Sequence, residues 1–566
     1  MVYGRTMDVV TTALGPLGGS YQETLESLAR FQFTTHLWGR RVDMWTQDPA
    51  VQQKIANRLG WLDALAVAEQ QLDRARACAA SVRADGFTHV VLLGMGGSSL
   101  APEVMRQVLG VAPGFPRFQM LDSVDPESVA QALTNIPQTL FVFASKSGGT
   151  IEPNAMAAEA VARLTAAGVK TPGARFIAIT DEGTALHKKA VADGFRDIFV
   201  NPSDIGGRFS ALSLFGLVPA ALMGADLDAF LGHARRMADA CRRAEADNPG
   251  VVLGAFMAAA ARSGRDKLTL LLPPSLASLG LWIEQLVAES TGKDGVGVVP
   301  IAGESRDVVF GPDRAAVVVH LGSESPDPTV LATLRNSGTP FLEWRVEGPL
   351  ALGAEFFRWE IATAAAGRAL GVNPFDEPNV QQAKDATKTL LDIVAATGSL
   401  PSPAVDFSAD GFVATLSAAA WAGLGDPRDF LSSVGSSDYV SIMAFLPTHD
   451  PALGDALDDL RASVGRATGK ATMLGFGPRY LHSTGQLHKG GGRNGVFLIL
   501  TASPALDMEI PGAGYSFGTL ERAQALGDFN SLNATGRRAM FVQLPTRSPD
   551  AIRALGRLLA SGSAPS

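Results

Sequence analysis

The chain has 566 residues, of which 46% are hydrophobic and 18% charged, and its formal net charge is −8. This composition excludes intrinsic disorder and leaves room for several folded domains. The negative charge argues against nucleic acid as a main partner, because binding a phosphate backbone requires a basic field. A small anionic substrate stays compatible with it, since a local site can oppose the global charge.

The two cysteines, Cys78 and Cys241, are too few for a disulfide framework or a cysteine metal cluster. Residues 1–5 lack the apolar core of a signal peptide. The best apolar run, 251–261, is too short to cross a bilayer. These features predict a cytoplasmic protein without a membrane span.

Residues 1–85 are predicted to form a helical N-terminal region, in which Trp45 and Trp61 fit a core better than a binding site. Strands and helices then alternate. Strands are predicted at 89–93, 118–121, 140–144, 176–179 and 198–200. Continuous apolar strands between helices indicate a parallel sheet covered on both faces.

Helices are predicted over 208–262, and a second alternation of strands and helices follows. Its strands are predicted at 268–272, 316–320 and 341–344, with helices at 276–290 and 354–370. After a linker at 398–407, further strands are predicted near 439–446, 471–476, 495–502 and 539–545. These last strands form either a third layer or the rest of the second sheet, and their spacing fits both.

Two turns rich in glycine and hydroxyl groups follow predicted strands and open helices. Residues 94–99 nearly match a dinucleotide fingerprint, but Ser99 occupies the third glycine position. Residues 145–150, Ser-Lys-Ser-Gly-Gly-Thr, offer three hydroxyls and the suitable N-cap Thr150. A helix N-terminus behind such a turn binds anions. Together the turns favour a sugar phosphate over NAD, with an ordinary strand-to-helix turn as the alternative.

Three further polar positions are candidates. Gln285 and Glu289 are four residues apart in a predicted apolar helix and share a face. Apolar neighbours would raise the pKa of Glu289 and suit it to act as a general base, although spacing alone favours solvent exposure. Arg208, in Gly-Gly-Arg-Phe-Ser at 206–210, suits an oxyanion and a surface salt bridge equally well.

The densest polar run, 482–491, follows the predicted strand near 471–476. Active sites of α/β proteins collect where strands end. Of the eight histidines, His482 and His488 share this glycine-flanked loop, whereas His320 in an apolar strand is predicted to be structural. No spacing of histidine, cysteine and glutamate predicts a zinc site.

Five motifs together resemble those of the phosphoglucose isomerase family. They are the glycine loop at 94–100, the turn at 145–150, the segment at 206–210, the helix from Gln285 to Lys293, and residues 373–384 ending in Lys384. The resemblance implies an α/β fold with two sugar-isomerase (SIS) domains, each a parallel-sheet αβα sandwich. We expect a helical region at 1–85, SIS domains at 86–262 and 263–397, and an extra C-terminal α/β segment at 398–566.

The resemblance also implies the activity. Glucose 6-phosphate and fructose 6-phosphate would interconvert by ring opening and proton transfer through a cis-enediol, without a metal or organic cofactor. His482 would open the ring, Glu289 would carry the proton between C1 and C2, and Arg208 would stabilise the enediolate. The implied substrate-binding residues are Gly97, Ser98, Ser145, Lys146, Ser147, Thr150, Gly207, Gln285 and Lys384. A homodimer is expected.

The chain departs from the family in two ways. Many members carry glutamine at the position of Glu377, so a second carboxylate is expected near the sugar. The family's histidine precedes the lysine motif, whereas His482 follows Lys384. That order resembles the isomerase half of transaldolase–glucose-6-phosphate isomerase fusion proteins. The segment before residue 88 is too short for a transaldolase barrel of about 250 residues, so we expect a free-standing version.

Three questions stay open in the sequence. In dimeric members a histidine comes from the partner subunit, so His482 acts either in its own chain or across an interface. A non-catalytic SIS-type sensor of sugar phosphates is an alternative function. A nucleotide-dependent dehydrogenase is another, against which Ser99 argues.

Overall fold

The computed structural model describes residues 9–304, 307–422, 424 and 426–562. The expectation about a signal peptide falls on residues 1–5, outside this part of the chain. Within these ranges, no helix is long and apolar enough to cross a membrane. Cys78 and Cys241 are both buried and free.

Strands and helices are numbered along the chain. The strands are β1 (Val9–Ala13), β2 (His89–Leu93), β3 (Arg117–Leu121), β4 (Thr139–Ala144), β5 (Phe176–Asp181), β6 (Asp197–Asn201), β7 (Lys267–Leu271), β8 (Val299–Ala302), β9 (Arg314–Leu321), β10 (Phe341–Val346), β11 (Phe407–Ala409), β12 (Phe412–Leu416), β13 (Tyr439–Phe445), β14 (Ala471–Phe476), β15 (Gly495–Thr501) and β16 (Arg538–Gln543). The α-helices are α1 (Gly18–Arg30), α2 (Phe33–Trp38), α3 (Pro49–Ala56), α4 (Ala64–Ala84), α5 (Leu100–Leu109), α6 (Pro126–Ala132), α7 (Ile151–Ala166), α8 (Ala185–Ala192), α9 (Leu214–Leu222), α10 (Leu227–Ala240), α11 (Pro249–Arg262), α12 (Leu279–Thr291), α13 (Pro328–Ser337), α14 (Leu352–Leu370), α15 (Val380–Thr397), α16 (Ala418–Trp421), α17 (Pro451–Thr468), α18 (Gly485–Gly490), α19 (Phe517–Ala534) and α20 (Pro549–Gly562).

The first sheet is parallel throughout, with strand order β3–β2–β4–β5–β6. From β2 the chain moves to one side to form β3 and then returns to the other side to form β4. A crevice opens at such a reversal, outside the carboxyl ends of the two strands. The turn at 94–99 follows β2 and the turn at 145–150 follows β4, so both predicted anion loops border this crevice.

The second sheet repeats the reversal, with parallel strands in the order β10–β9–β7–β8. Strand β1 pairs antiparallel with β10 at its edge. The structure therefore differs from the helical prediction at Val9–Ala13. These residues, Val-Val-Thr-Thr-Ala, are mostly β-branched, and the edge of β10 offers unpaired backbone groups. The short strand β8, which contains Pro300, was also missing from the predicted elements.

The C-terminal segment forms a third sheet and does not complete the second. Its parallel strands have the order β14–β13–β15–β16, and the antiparallel hairpin β11–β12 extends the sheet beyond β16. All three sheets thus contain the same parallel arrangement. The predicted fold class, two parallel-sheet sandwich domains with a C-terminal α/β segment, is confirmed, while the boundaries at 86, 263 and 398 stay predictions.

Helices α11 and α14 pack at close range behind the second sheet. A Cβ placed on Gly254 of α11 would lie 2.7 Å from Ala365 Cβ and closer still to Ala362 O of α14. Ala362 and Ala365 belong to α14, which is buried along most of its length. Neither helix therefore has room to move away. Glycine at 254 therefore sets the distance between these two helices.

We expect Gly254→Ala to lower the melting temperature, although alanine is the better helix former, because overpacking a dense core costs about 1–3 kcal/mol. Gly232 of α10 is the matched control, since its Cβ would meet only Arg236 Nη1, at 3.8 Å. Gly232→Ala should be neutral or stabilise by about 0.5–1 kcal/mol. Thermal unfolding of both variants checks this, and equal effects would refute the close packing of α11 on α14.

Candidate active site

A cavity of about 180 Å³ opens beside the crevice of the first sheet. Its walls come from all three sheet-containing segments and from the N-terminal region. The predicted site residues that line it are Gly97, Lys146, Gly207, Arg208, Gln285, Glu289, Lys384 and His482. The other predicted residues are not among its lining, namely Ser98, Ser145, Ser147 and Thr150.

The glycine loop after β2 lies directly against the loop that carries Arg208. A Cβ on Gly97 would collide with Gly207 O, so only glycine permits this approach. The Ser210 hydroxyl donates a hydrogen bond to Gly207 O at 2.6 Å, and Gly97 O lies 3.4 Å from the same Oγ. The contact aims Arg208 into the cavity.

The Arg208 guanidinium is buried and has partners on every side. Nε donates to Ser290 Oγ at 2.8 Å, and Nη2 donates to the carbonyl oxygens of Pro374 and Asp376 at 2.9 Å each. Nη1 lies 3.2 Å from Glu289 Oε1 and 3.0 Å from Glu377 Oε2. Arg208 thus connects the segment of the first sheet to α12 and to the loop before α15. It does not form the surface salt bridge that was the alternative interpretation.

Gln285 and Glu289 are both buried in α12, contrary to the exposure that their spacing alone favours. Gln285 Nε2 donates to Glu289 Oε2 at 3.3 Å and to His482 O at 2.7 Å. Burial raises the pKa of Glu289, the Arg208 charge opposes this, and the Glu377 carboxylate adds to it. A carboxyl group whose pKa is raised in this way is better suited to accept and release a proton than an exposed one.

Two more charged side chains complete the cluster around Arg208. Lys293 Nζ donates to Asp376 Oδ1 at 2.6 Å, and burial together with Arg208 lowers the pKa of Lys293 to about 8. Burial alone would raise the pKa of Glu377, but the Arg208 guanidinium, together with Lys293 and Arg58, holds that pKa below its usual value. Glu377 therefore stays ionised beside Glu289. It is Glu377 that the sequence predicts as a second carboxylate in this region.

His482 reaches the cavity within its own chain. Its Nε2 lies 2.8 Å from Glu152 Oε1, in the first turn of α7, and the same oxygen accepts from Gln524 Nε2 at 2.6 Å. Burial would raise the pKa of Glu152, but His482 and Gln524 hold it below its ordinary value. The sequence analysis missed Glu152. Its position two residues after the turn at 145–150 was the available signal.

Two buried contacts hold the short helical turn Arg479–His482 in place. Arg479 donates to both oxygens of Asp122, from Nε at 2.8 Å and from Nη2 at 2.7 Å. Tyr480 OH donates to Asp528 Oδ2 at 2.7 Å. Because Asp122 follows β3, the first of these pairs fixes the histidine of the third segment against the first sheet.

The hydroxyls of the turn at 145–150 accept hydrogen bonds within the turn itself. Ser145 Oγ accepts from Gly148 N at 3.1 Å, and Ser147 Oγ accepts from Gly149 N at 3.2 Å. Thr150 is the N-cap residue of α7, but its side chain makes no capping hydrogen bond. Lys146 Nζ donates to Asp181 Oδ2 at 2.5 Å. The turn is thus a rigid loop at a helix N-terminus, with one lysine on the cavity side.

Two other histidines lie apart from the cavity. His320 is buried, with ring nitrogens 2.9 Å from Ser325 Oγ and 2.7 Å from Glu343 Oε1, as expected of a structural histidine. His488 is also buried, and neither of its ring nitrogens has a partner among the described residues. Burial lowers its pKa well below the ordinary value, so His488 stays neutral in the folded protein.

Residues 66–314 match the family model described as phosphoglucose isomerase. The chain is 34% identical over 269 residues to the glucose-6-phosphate isomerase of Trichormus variabilis (strain ATCC 29413 / PCC 7937), a match covering 46% of this chain and 49% of that protein. It is 29% identical over 370 residues to the glucose-6-phosphate isomerase of Synechococcus sp. (strain CC9605), covering 58% and 69%. The chain thus spans about half the length of the first of these relatives.

Two solved structures share the fold. A hypothetical protein from Thermus thermophilus superposes with a TM-score of 0.57 at 24% identity, covering 66% of this chain and 98% of that one. A glucose-6-phosphate isomerase from Chlamydia trachomatis superposes with a TM-score of 0.50 at 21% identity, covering 58% and 74%. At these identities the likeness concerns the fold alone.

We expect Arg479→Met to destabilise the protein by about 3 kcal/mol or more, since it leaves Asp122 buried without its counter-charge. The matched control is Arg466→Met, because the pair between Arg466 Nη1 and Asp307 Oδ2, 3.0 Å apart, is exposed. That change should cost less than about 1 kcal/mol. Thermal and urea unfolding measure both, and an Arg479→Met variant as stable as the control would contradict a holding role for this pair.

Proposed function

We propose, on the premise that this chain belongs to the phosphoglucose isomerase family through its residues 66–314, that it interconverts glucose 6-phosphate and fructose 6-phosphate. The observation that carries the proposal is the meeting of Glu289, Arg208 and His482 at one cavity. This set combines a base of raised pKa, a buried cation and a histidine paired with a carboxylate. Such a set can supply the base, the stabilisation of the enediolate and the ring-opening acid of an aldose–ketose isomerisation.

Glu289 is the proposed base. It takes the proton from C2 of the open-chain aldose, or from C1 of the ketose, and returns it to the other carbon. Its raised pKa supports this role, because a carboxyl group is an efficient proton carrier when its pKa is near the working pH. In the cis-enediol the oxygens on C1 and C2 lie on one side, where Arg208 is positioned to stabilise the negative charge.

His482 is the proposed group for ring opening. Because its Nε2 faces Glu152, Nδ1 is the ring nitrogen left for the substrate. In its protonated form it gives a proton to the ring oxygen as the bond from C1 to that oxygen breaks, and the C1 hydroxyl releases its proton to water and becomes the aldehyde. The Glu152 carboxylate, whose pKa is held low, lies within hydrogen-bond distance of Nε2 and orients the ring.

Gln285 and Lys384 are proposed to bind the sugar hydroxyls. Gln285 Oε1 is buried and accepts no hydrogen bond from the described residues, which fits a substrate hydroxyl as its donor. The phosphate is assigned to the turn at 145–150 with Lys146 and to the loop of Gly97 and Ser98, at the helix N-termini that favour anions. No metal or organic cofactor enters this scheme.

Further expectations follow from the resemblance and the composition, and they stay predictions. They are a homodimer, a cytoplasmic location and the absence of nucleic-acid and membrane partners. Mannose 6-phosphate is a possible second substrate, since it differs from glucose 6-phosphate only at C2.

Glu289→Gln should lower kcat for fructose 6-phosphate by about 10²–10⁴ with KM little changed, because the amide binds but accepts no proton. The rate is measured by coupling glucose 6-phosphate formation to a dehydrogenase.

Glu284→Gln is the matched control on the same helix: Glu284 Oε1 accepts from Ala302 N at 2.9 Å, away from the cavity lining. It should keep its turnover. Full activity in Glu289→Gln would remove Glu289 as the base. Binding without turnover in the unmodified protein would favour the sensor.

The acid limb of the pH profile should depend on Glu377. The base acts when ionised, so kcat/KM falls as the pH drops through the raised pKa of Glu289. Glu377→Gln removes the neighbouring negative charge that raises this pKa. Of the two glutamates paired with Arg208, only Glu289 then remains. The acid limb should therefore move to lower pH, as measured by kcat/KM between about pH 4 and 9. A shift to higher pH would contradict the coupling.

A further inference from the structure

The N-terminal region contributes a cation to the cavity. Arg58 lies in the short connection after α3 and lines the cavity together with loops of the first sheet. It precedes residue 66, where the match to the family model begins. No motif in the sequence pointed to it, since a single arginine after a helix is an ordinary surface feature.

The position of Arg58 is fixed on both sides in the chain. Leu59 forms a β-bridge with Ile205, and Gly60 N donates to Asp204 O at 2.9 Å. Trp61 is fully buried and stacks on Phe209, with ring centroids 5.2 Å apart. The segment around Arg58 is therefore attached to the loop that carries Arg208, and it holds the Arg58 side chain beside Gly206.

Among the described residues, no carboxylate forms a close ion pair with Arg58. Of the lining cations, Arg208 is paired with Glu289 and Glu377, and Lys146 with Asp181. In the part of the chain that the structure describes, neither Arg58 nor Lys384 forms an ion pair. The hydrogen bond that Arg58 donates there goes from Nη1 to Asn57 O, at 2.8 Å. A guanidinium has five N–H donors, so most of them remain available.

Arg58 and Lys146 both line the cavity. Burial raises the pKa of Asp181, and the charges of both Lys146 and Arg58 oppose that rise. Lys146 belongs to the turn at 145–150, where the helix N-terminus of α7 begins. An anion bound at this turn would thus lie within the field of two cations, one of them unpaired.

We propose that Arg58 binds the phosphoryl group of the substrate, together with the turn at 145–150. The inference rests on the proposed function and adds to it a specificity residue from outside the matched family segment. A phosphoryl dianion carries about the charge that two cations and a helix N-terminus can balance. Arginine also matches its geometry, because the planar guanidinium donates two parallel hydrogen bonds to phosphate oxygens.

The test compares three variants of the full chain. Arg58→Met removes the charge and keeps most of the aliphatic stem. Arg58→Lys keeps the charge but loses the planar guanidinium with its two parallel donors. Lys54→Met is the matched control, because Lys54 is an exposed cation of α3 that does not line the cavity. The readouts are KM and kcat for fructose 6-phosphate, inhibition by inorganic phosphate, and calorimetric binding of sorbitol 6-phosphate and of sorbitol.

We expect Arg58→Met to raise KM and the inhibition constant of phosphate by about tenfold or more, with kcat changed much less. Arg58→Lys should recover part of the loss, and Lys54→Met should match the unmodified protein. Binding of sorbitol should not depend on residue 58, because it has no phosphoryl group. Circular dichroism and thermal unfolding establish that each variant is folded.

A folded Arg58→Met variant with unchanged KM and unchanged phosphate inhibition would overturn the inference and leave the isomerase proposal intact. A different outcome is that the unmodified protein binds sorbitol 6-phosphate but does not isomerise fructose 6-phosphate, and that the Arg58→Met variant loses this binding. The isomerase proposal then fails and the phosphoryl contact stands. An equal loss of sorbitol and sorbitol 6-phosphate binding would reduce Arg58 to a structural role and overturn the inference.

Discussion

The arrangement of the site depends on the buried guanidinium of Arg208. Its three nitrogens contact α12 through Ser290 and Glu289 and the loop before α15 through two carbonyl oxygens and Glu377. A buried guanidinium is tolerated only when its donors and its charge are satisfied. The first domain, α12 and the loop before α15 must therefore meet at one point, and that point is the cavity wall. The close approach of Gly97 and Gly207 is a consequence of the same requirement.

The charges of this cluster also explain why the pKa of Glu289 is raised. Two cations, Arg208 and Lys293, face three carboxyl groups, those of Glu289, Glu377 and Asp376. Burial disfavours the charged form of Glu289 and the Glu377 carboxylate adds to this effect, while the Arg208 charge opposes it. Glu377 and Asp376 are partly exposed, whereas Glu289 is buried, so burial acts most strongly on Glu289.

Sequence patterns identified local features of the site and missed what depends on distant partners. The two anion turns were visible because glycines, hydroxyls and a helix start are adjacent in sequence. Spacing placed Gln285 and Glu289 on one face but gave the wrong exposure, since the buried wall comes from other segments. Glu152 gave only its position after the turn at 145–150 as a signal and Arg58 gave none, because their places in the site depend on His482 and on the loop at 204–207. For the same reason β1 was missed: its partner β10 is far along the chain.

The late position of His482 in the chain is compatible with the site because of how the sheets meet. The histidine follows β14, whose edge adjoins the second sheet, where Arg461 of α17 donates to Thr472 O and to the carbonyl oxygens of Ala302 and Gly303. Arg479 attaches the histidine turn to Asp122 of the first sheet. These contacts fix the imidazole relative to Glu152 whatever the order of the segments along the chain. A site assembled at the junction of three sheets constrains where a side chain lies in space and leaves its place in the sequence free.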